Sequence, residues 1–467
     1  MSQFTVSEAQ LEQLSRTELV TLVQLLLAEV VQLKARIVEL ESKPPGGKPP
    51  ATSQNSAQPP SRDQKVNLPA PPAPRRVGAR PGHPVATRPL VEKPDQVIEV
   101  KVTQCTYCQH DLHDQTPTRI VRHQLTELPV VRPLVIETQM HEVECPHCHL
   151  VQRATPPVGL APTRCFGPRL EATVVYHKQI QHLSYERIAQ LMRDQCGVTL
   201  SEGGLNAIVQ RAGALAQPKA DLIGAAVARS PIIGSDETSA RVKGRNWWQW
   251  VFRSAAGVFH RIVPTRSAAV VTDFMGDACA EVWISDCYGA QLLAPAKARQ
   301  LCLSHQIRDL TRVIEQAPTL CWPVAMQKLF QEAIHLRNRF FTTEQLTLNG
   351  YLRRVAELEN RLDALLTQDQ RGTAARQLYQ RYVKHREHLL VFLTEPEVPP
   401  TNNACESALR PSVIHRKVTN GFRSERGAQS YAALATLLET AKLPGHNLFD
   451  TLVALMGPPV RHFLNSS

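Results

Sequence analysis

Two short apolar runs, each stopping on an acid, limit what this chain can fold into more than any other feature. Pro231-Ile232-Ile233-Gly234-Ser235-Asp236 and Glu281-Val282-Trp283-Ile284-Ser285-Asp286 read as short buried strands, and each places its aspartate at the strand end. Between them, Trp247-Trp248-Gln249-Trp250-Val251-Phe252 and Gly257-Val258-Phe259-His260-Arg261-Ile262-Val263 read as two more strands, and Ser267 to Met275 as a helix. Three antiparallel strands, a helix and a fourth strand beside the first define an α/β layer. Glu237 follows Asp236, but strand alternation sends the two to opposite faces. Asp236 shares the setting of Asp286, a small residue before it after an apolar run, and is assigned to the site.

A third acid comes late in the chain, in Pro400-Thr401-Asn402-Asn403-Ala404-Cys405-Glu406-Ser407-Ala408-Leu409-Arg410. Asn402 or Asn403 after the prolines reads as a helix N-cap, which puts Glu406 in the first turns and Arg410 one turn later on the same face. Alone, such a motif is a surface Glu–Arg pair worth a few tenths of a kcal/mol. Together with Asp236 and Asp286 it completes the donor set that holds two divalent cations for phosphoryl transfer. Arg410, Arg416, Lys417 and Arg423 then stand where phosphates near a scissile bond need neutralising.

The three acids and the N-N-x-x-E-x-x-L-R-P stretch resemble the DDE transposases of the insertion sequence 66 family, from about Gln96 to about Gly457. The resemblance implies an RNase H-like catalytic core in which Asp236, Asp286 and Glu406 hold two Mg²⁺ ions. It implies Mg-dependent cleavage and strand transfer at insertion-sequence ends. The expected partners are double-stranded DNA, as terminal inverted repeats and target, and small element-encoded accessory proteins. Leu301-Cys302-Leu303-Ser304-His305 matches a C-x-x-H motif found at this place in the family, which makes His305 an active-site neighbour or else a satisfied core histidine. Ser407 departs from the pattern, since a basic residue commonly follows the glutamate. Two other readings stay open: a non-catalytic DNA-binding regulator derived from a transposase, and an RNase H-like nuclease without strand transfer.

Charge and cysteine usage agree with a DNA partner inside a reducing cell. The 467 residues carry a formal charge of +11, which favours a polyanion. No run reaches the ~18 apolar residues of a membrane span, and no signal peptide opens the chain. The expected location is therefore cytoplasmic and nucleoid-associated. Of the eleven cysteines, Cys105, Cys108, Cys145 and Cys148 form two C-x-x-C knuckles, which together complete a closed tetrahedral shell for one structural Zn²⁺. His110, His113, His147 and His149 are substitutes or outer partners of that shell. Alternation in Ile120, Val121, Leu125, Leu128, Val130, Val131, Leu134, Val135 and Ile136 predicts a β-hairpin between the knuckles.

The remaining organisation follows from periodicity. Leu19, Leu26, Leu33 and Leu40 recur every seventh residue, with Val23, Val30 and Ile37 interleaved, so residues 1–42 read as a dimerising coiled coil or an amphipathic helix docked on its own domain. Residues 43–94 form a Pro-rich basic linker. The zinc-binding domain spans 95–160, and a helical domain spans 166–216. In the latter, Ser184 and Ser201 cap two helices around Cys196-Gly197. This suits a helix-turn-helix with Asn206, Gln210 and Arg211 facing DNA, or an ordinary helical hairpin. The catalytic core begins at 228–318. A helical insertion at 319–395, with Leu352, Val355, Leu358, Leu362 and Leu365 on one stripe, interrupts it before its last helices at 396–443. Residues 444–467 form a C-terminal segment.

Overall fold

The computed structural model describes residues 88–157, 164–342 and 346–457, with isolated positions 15, 30 and 160. The heptad segment 1–42, isolated positions apart, and most of the linker 43–94 lie outside the described residues.

The two cysteine knuckles share one backbone geometry. The amide of Cys105 donates to His110 O and that of Gln109 to Cys105 O; Cys145 donates to Leu150 O and His149 to Cys145 O in the same way. Gln109 and His149, each one residue past its knuckle, both adopt the left-handed conformation, at φ 56° and 55°. Around the second knuckle, β1 (Glu142–Glu144) pairs antiparallel with β2 (Val151–Arg153). The hairpin expected from the alternation between the knuckles does not form: residues 112–141 contain no strand, and Ile120, Leu125, Leu128 and Val135 are exposed. Alternation alone leaves such a strand without a surface to bury its apolar face.

Three helices follow: α1 (Pro168–Gln179), α2 (Tyr185–Cys196) and α3 (Glu202–Ala228). Ser184 Oγ accepts from Arg187 N, Ser201 Oγ accepts from Gly204 N, and Gly197 ends α2 at φ 65°. These are the start and stop signals that the sequence carries. α3 does not end near residue 216 but continues through Pro218. Its apolar face packs on the C-terminal helices α11 (Glu425–Lys442) and α12 (Leu448–Met456), so Leu205, Ile208 and Ala212 share one core with Leu434, Leu438 and Leu452. Glu171 of α1 is fully buried, paired with Arg164 at 2.5 Å and Arg211 at 3.1 Å.

The central sheet has five strands in the order β5-β4-β3-β6-β7. β3 (Ile232–Val242), β4 (Arg245–Ser254) and β5 (Gly257–Val263) form an antiparallel meander; β6 (Ala280–Ser285) pairs parallel with β3, and β7 (Ala296–Leu301) pairs parallel with β6. The parallel β3–β6 connection runs through α4 (Ala269–Met275), on the face where Trp250, Phe252, Trp283 and Met275 are buried. Phe252 and Phe274 stack there with ring centroids 3.8 Å apart. Each such side chain contributes roughly 1.5–3 kcal/mol by leaving water, so this layer fixes the level of β3 against β6.

A short helix α5 (Gly289–Leu292) follows β6, and after β7 come α6 (Leu303–Gln316), α7 (Cys321–Thr342), α8 (Leu348–Leu366) and α9 (Arg376–Lys384). They build a second core around Trp322, Phe330, Leu362 and Tyr382 that reaches the sheet at Val282, Ile284 and Leu301. On α8, Val355, Leu358 and Leu362 are buried as their spacing requires, but Leu352 is exposed and Tyr351 takes its place. Tyr351 fits there because its hydroxyl reaches Leu393 O at 2.8 Å, which satisfies the one polar atom it buries. The chain then returns to the opposite face of the sheet as α10 (Asn403–Thr419), which seats Cys405, Ala408 and Leu409 against Val251 and Val258.

Candidate active site

The site is built where β3 and β6 part. Their parallel ladder ends with Gly234 opposite Ile284, and Asp236 and Asp286 stand two residues beyond on the two strands. Two residues restore the same side of a strand, and neighbouring strands lie about 4.8 Å apart, so both carboxylates project at one level. Asp286 does follow the last residue of β6. Asp236, expected at a strand end, sits instead in the middle of β3, because residues 234–242 remain paired with β4 after β6 has stopped. Backbone amides orient both acids: Glu237 N donates to Asp236 Oδ1 and Tyr288 N to Asp286 Oδ1, each at 2.9 Å.

α10 brings the third acid. Glu406 lies in its first turn, with Oε1 3.7 Å from His305 Nδ1 and Oε2 3.7 Å from Arg308 Nη2, both on α6. The expected partner Arg410 is exposed and lines a cavity of about 250 Å³ between α10, α11 and the end of α1. Asn402 occupies the N-cap position without capping; its amide donates to Ser235 O at 2.7 Å. Cys302 is fully buried, and Cys302, His305 and Glu406 each offer a donor atom within 4.8 Å of the others.

Electrostatics couple Asp236 to Asp286, and His305 to both Asp286 and Glu406. Burial, with Glu237 and Asp286 nearby, pushes Asp236 up to about 7. Burial works to lower His305, but the Cys302 sulfur and the carboxylates of Glu406 and Asp286 more than offset it and raise His305 to about 9. Glu406 Oε1 and His305 Nδ1 are buried with no hydrogen-bond partner. Crowded carboxylates, one of them destabilised in its charged form and another with an orphaned oxygen, are the donor chemistry that a divalent cation satisfies. The residues present therefore fit the metal ions implied by the three-acid pattern.

Behind the sheet, Glu237 is as buried as alternation allows, 1% exposed, and is held by Arg266 at 2.5 Å and Gln291 Nε2 at 2.6 Å. Arg266 lies between the rings of Trp248 and Tyr288. The other expected positions divide. Arg416 donates to Ser239 of β3, while Lys417 and Arg423 are exposed. Of the α3 residues assigned to DNA, Asn206 is exposed and accepts from Tyr185 Oη. Gln210 instead accepts from Ser430 Oγ of α11, and Arg211 pairs with Glu171, so both are engaged within the chain. In each cysteine knuckle, the backbone amides of the second cysteine and the residue before it lower the thiol of Cys105 or Cys145, as a metal knuckle requires. The four sulfurs do not gather into one cluster in this arrangement. Arg308 and Asn402 escaped the sequence reading as site residues. His305 and Arg308, three apart at the start of α6, carried a signal in their helical spacing; the role of Asn402 carried none.

A mixed five-stranded sheet flanked by helices, with Asp236 and Asp286 on adjacent strands and a Cys302–His305–Glu406 group beside them, places the chain among α/β proteins. The chain belongs to the IS66 family of transposases, whose family model matches residues 164–430. It is similar to the uncharacterized protein y4hP of Sinorhizobium fredii, 25% identical over an alignment of 415 positions that covers 79% of this chain and 73% of that one. A second uncharacterized protein of the same organism, y4qI, is 40% identical over 67 residues, 14% of this chain and 12% of its own. Among the described residues no helix is long and apolar enough to cross a membrane.

Proposed function

We propose that this chain is a DDE transposase that binds insertion-sequence ends and carries out metal-dependent DNA cleavage and strand transfer on an RNase H-like core. The observation that supports the reading is that Asp236 and Asp286 stand on neighbouring strands with their charges coupled, while His305, acted on by both Asp286 and Glu406, links them to Glu406, whose Oε1 lacks a hydrogen-bond partner. Asp236, Asp286 and Glu406 would hold the Mg²⁺ ions. When bound, such ions lower the pKa of a water or DNA 3′-hydroxyl and offset charge on the departing oxygen. The chain's own groups fix the rest. The backbone amides of Glu237 and Tyr288 hold the aspartates in place, and His305 and Arg308 set a positive edge beside Glu406, where a phosphate would approach. Arg410, Lys417 and Arg423 extend basic surface along α10 and beyond it toward flanking phosphates.

In the same reading the knuckles at Cys105, Cys108, Cys145 and Cys148 close on one structural Zn²⁺, Asn206 faces end DNA, and residues 1–42 pair two chains as a coiled coil. The test is incubation of the full chain with Mg²⁺ and DNA carrying the element's own ends, followed by mapping of the strands formed. Cleavage at the element boundary with joining of 3′ ends supports the reading. Binding without cleavage supports the regulator instead, and cleavage without joining the nuclease.

A further inference from the structure

Asn402 is almost fully buried, 3% exposed, and joins the three pieces of chain that carry the site. Its backbone N–H donates to Cys302 Sγ at 3.1 Å, one turn before His305 on α6. Its side-chain amide donates to Ser235 O at 2.7 Å, the peptide immediately before Asp236. Its own carbonyl accepts from Cys405 N at 3.0 Å and Glu406 N at 3.2 Å, the first turn of the helix bearing the third acid. Close by, Pro400 O accepts from Leu303 N at 3.0 Å. An asparagine at this point usually turns its side chain onto its own helix; here that amide is spent across the sheet.

We infer that Asn402 is a positioning residue, a tie that sets the distance and register of Glu406 against Asp236 and so shapes the cation site assigned under Proposed function, on which this inference rests. Only an amide serves at this point. Aspartate would set a carboxylate against the Ser235 carbonyl, and alanine would leave that buried carbonyl unpaired. Gly234 belongs to the same contact. A Cβ there would lie 2.9 Å from Cys405 Sγ and 3.1 Å from Asn402 Oδ1, so β3 and α10 approach as closely as a bare backbone permits. The close approach seats α10, which carries Glu406, against the strand that carries Asp236, and Asn402 ties the two together. Small displacements matter because Mg²⁺ demands near-ideal octahedral geometry, and a shift of about 1 Å in a reacting group costs on the order of 100-fold in rate.

The test uses full-length wild type, Asn402→Asp and Asn402→Ala. Mn²⁺ affinity is read by electron paramagnetic resonance without DNA, alongside thermal unfolding, end binding and cleavage in Mg²⁺. The expected result is that both variants fold and bind end DNA as the wild type does, hold Mn²⁺ at least ~10-fold more weakly, and cleave on the order of 100-fold more slowly. Wild-type Mn²⁺ affinity in either folded variant overturns the inference. Should neither variant fold, Gly234→Ala presses the same contact apart, and unchanged Mn²⁺ affinity in that protein overturns it equally. A wild type that binds Mn²⁺ but never cleaves end DNA contradicts the transposase reading and leaves the tie legible in the Mn²⁺ titration. A wild type that holds no Mn²⁺ overturns both.

Discussion

Glu237, 1% exposed, and Arg266 form a part-buried ion pair at 2.5 Å directly behind the strand that carries Asp236. Burial and the charge of Asp286 raise the Glu237 carboxyl, against the lowering effect of Arg266 and Gln291. Glu237 is therefore part of the support of the site rather than a neutral bystander. Glu237→Gln keeps the shape but leaves the Arg266 guanidinium, about a third exposed, without its counter-charge. The expected cost is ~1–3 kcal/mol in denaturant unfolding. Cleavage, measured well below the melting temperature, is expected to stay within a few-fold of wild type, because Glu237 projects from the strand face opposite Asp236.

The pH dependence of the metal-free protein follows from two groups. Asp236 is raised to about 7 in the folded chain, so folding binds protons there and its stabilising effect is lost as pH rises from the ordinary carboxylate range through 7. His305 is raised to about 9, so its contribution is fully present below its ordinary value of 6.5 and is lost as pH climbs through 9. Both effects have the same sign. Melting temperature in chelator should fall between pH 5 and pH 9, and Mg²⁺ should flatten the fall by stabilising the ionised carboxylate. A flat metal-free profile over this range would count against the crowding of the acids.

The knuckles make a separate prediction. Thiolates at Cys105, Cys108, Cys145 and Cys148 are expected to bind one Zn²⁺ per chain, drawing the two knuckles together and giving Val100, Leu128 and Val130, now exposed, a surface to bury against. Added zinc should lower binding of a hydrophobic dye and protect residues 95–155 from protease. Cys145→Ser should cancel both effects while the melting of the sheet domain is unchanged.

What could be read from sequence was local. The capping serines 184 and 201, the stop at Gly197, and the strands around Asp236 and Asp286 all rest on near-neighbour chemistry. The rest depends on partners distant in the chain. β3 outruns its apolar segment because β4 pairs with it through Val242, which alternation within β3 cannot reveal. Asn402 has the residue type and position of an N-cap, yet its amide goes to Ser235. Gln210 and Arg211 have side chains suited to DNA but meet Ser430 and Glu171 first.

The joining of N-terminal and C-terminal helices has its own test. α3 meets α11 so closely at Gly213 that an added Cβ would fall 2.6 Å from Ser430 Oγ. Gly213→Ala should destabilise by ~1–3 kcal/mol through overpacking, despite alanine's better helix propensity. Gly203 has nothing within 4 Å of an added Cβ, so Gly203→Ala should be neutral or stabilising in the same thermal assay.

The most direct measurement of the central claim is cleavage of end-bearing DNA in Mg²⁺ by Asp286→Asn beside the wild type. The substitution preserves size and the turn that Tyr288 N makes with Oδ1, but removes the charge that offsets a divalent cation. End binding is expected to persist while cleavage falls by orders of magnitude. Under the proposal that Asp236, Asp286 and Glu406 act on one pair of ions, Asp286→Asn combined with Glu406→Gln should lose little more than either alone. Cleavage by Asp286→Asn at the wild-type rate would contradict the two-metal assignment and make the acids on β3 and β6 structural.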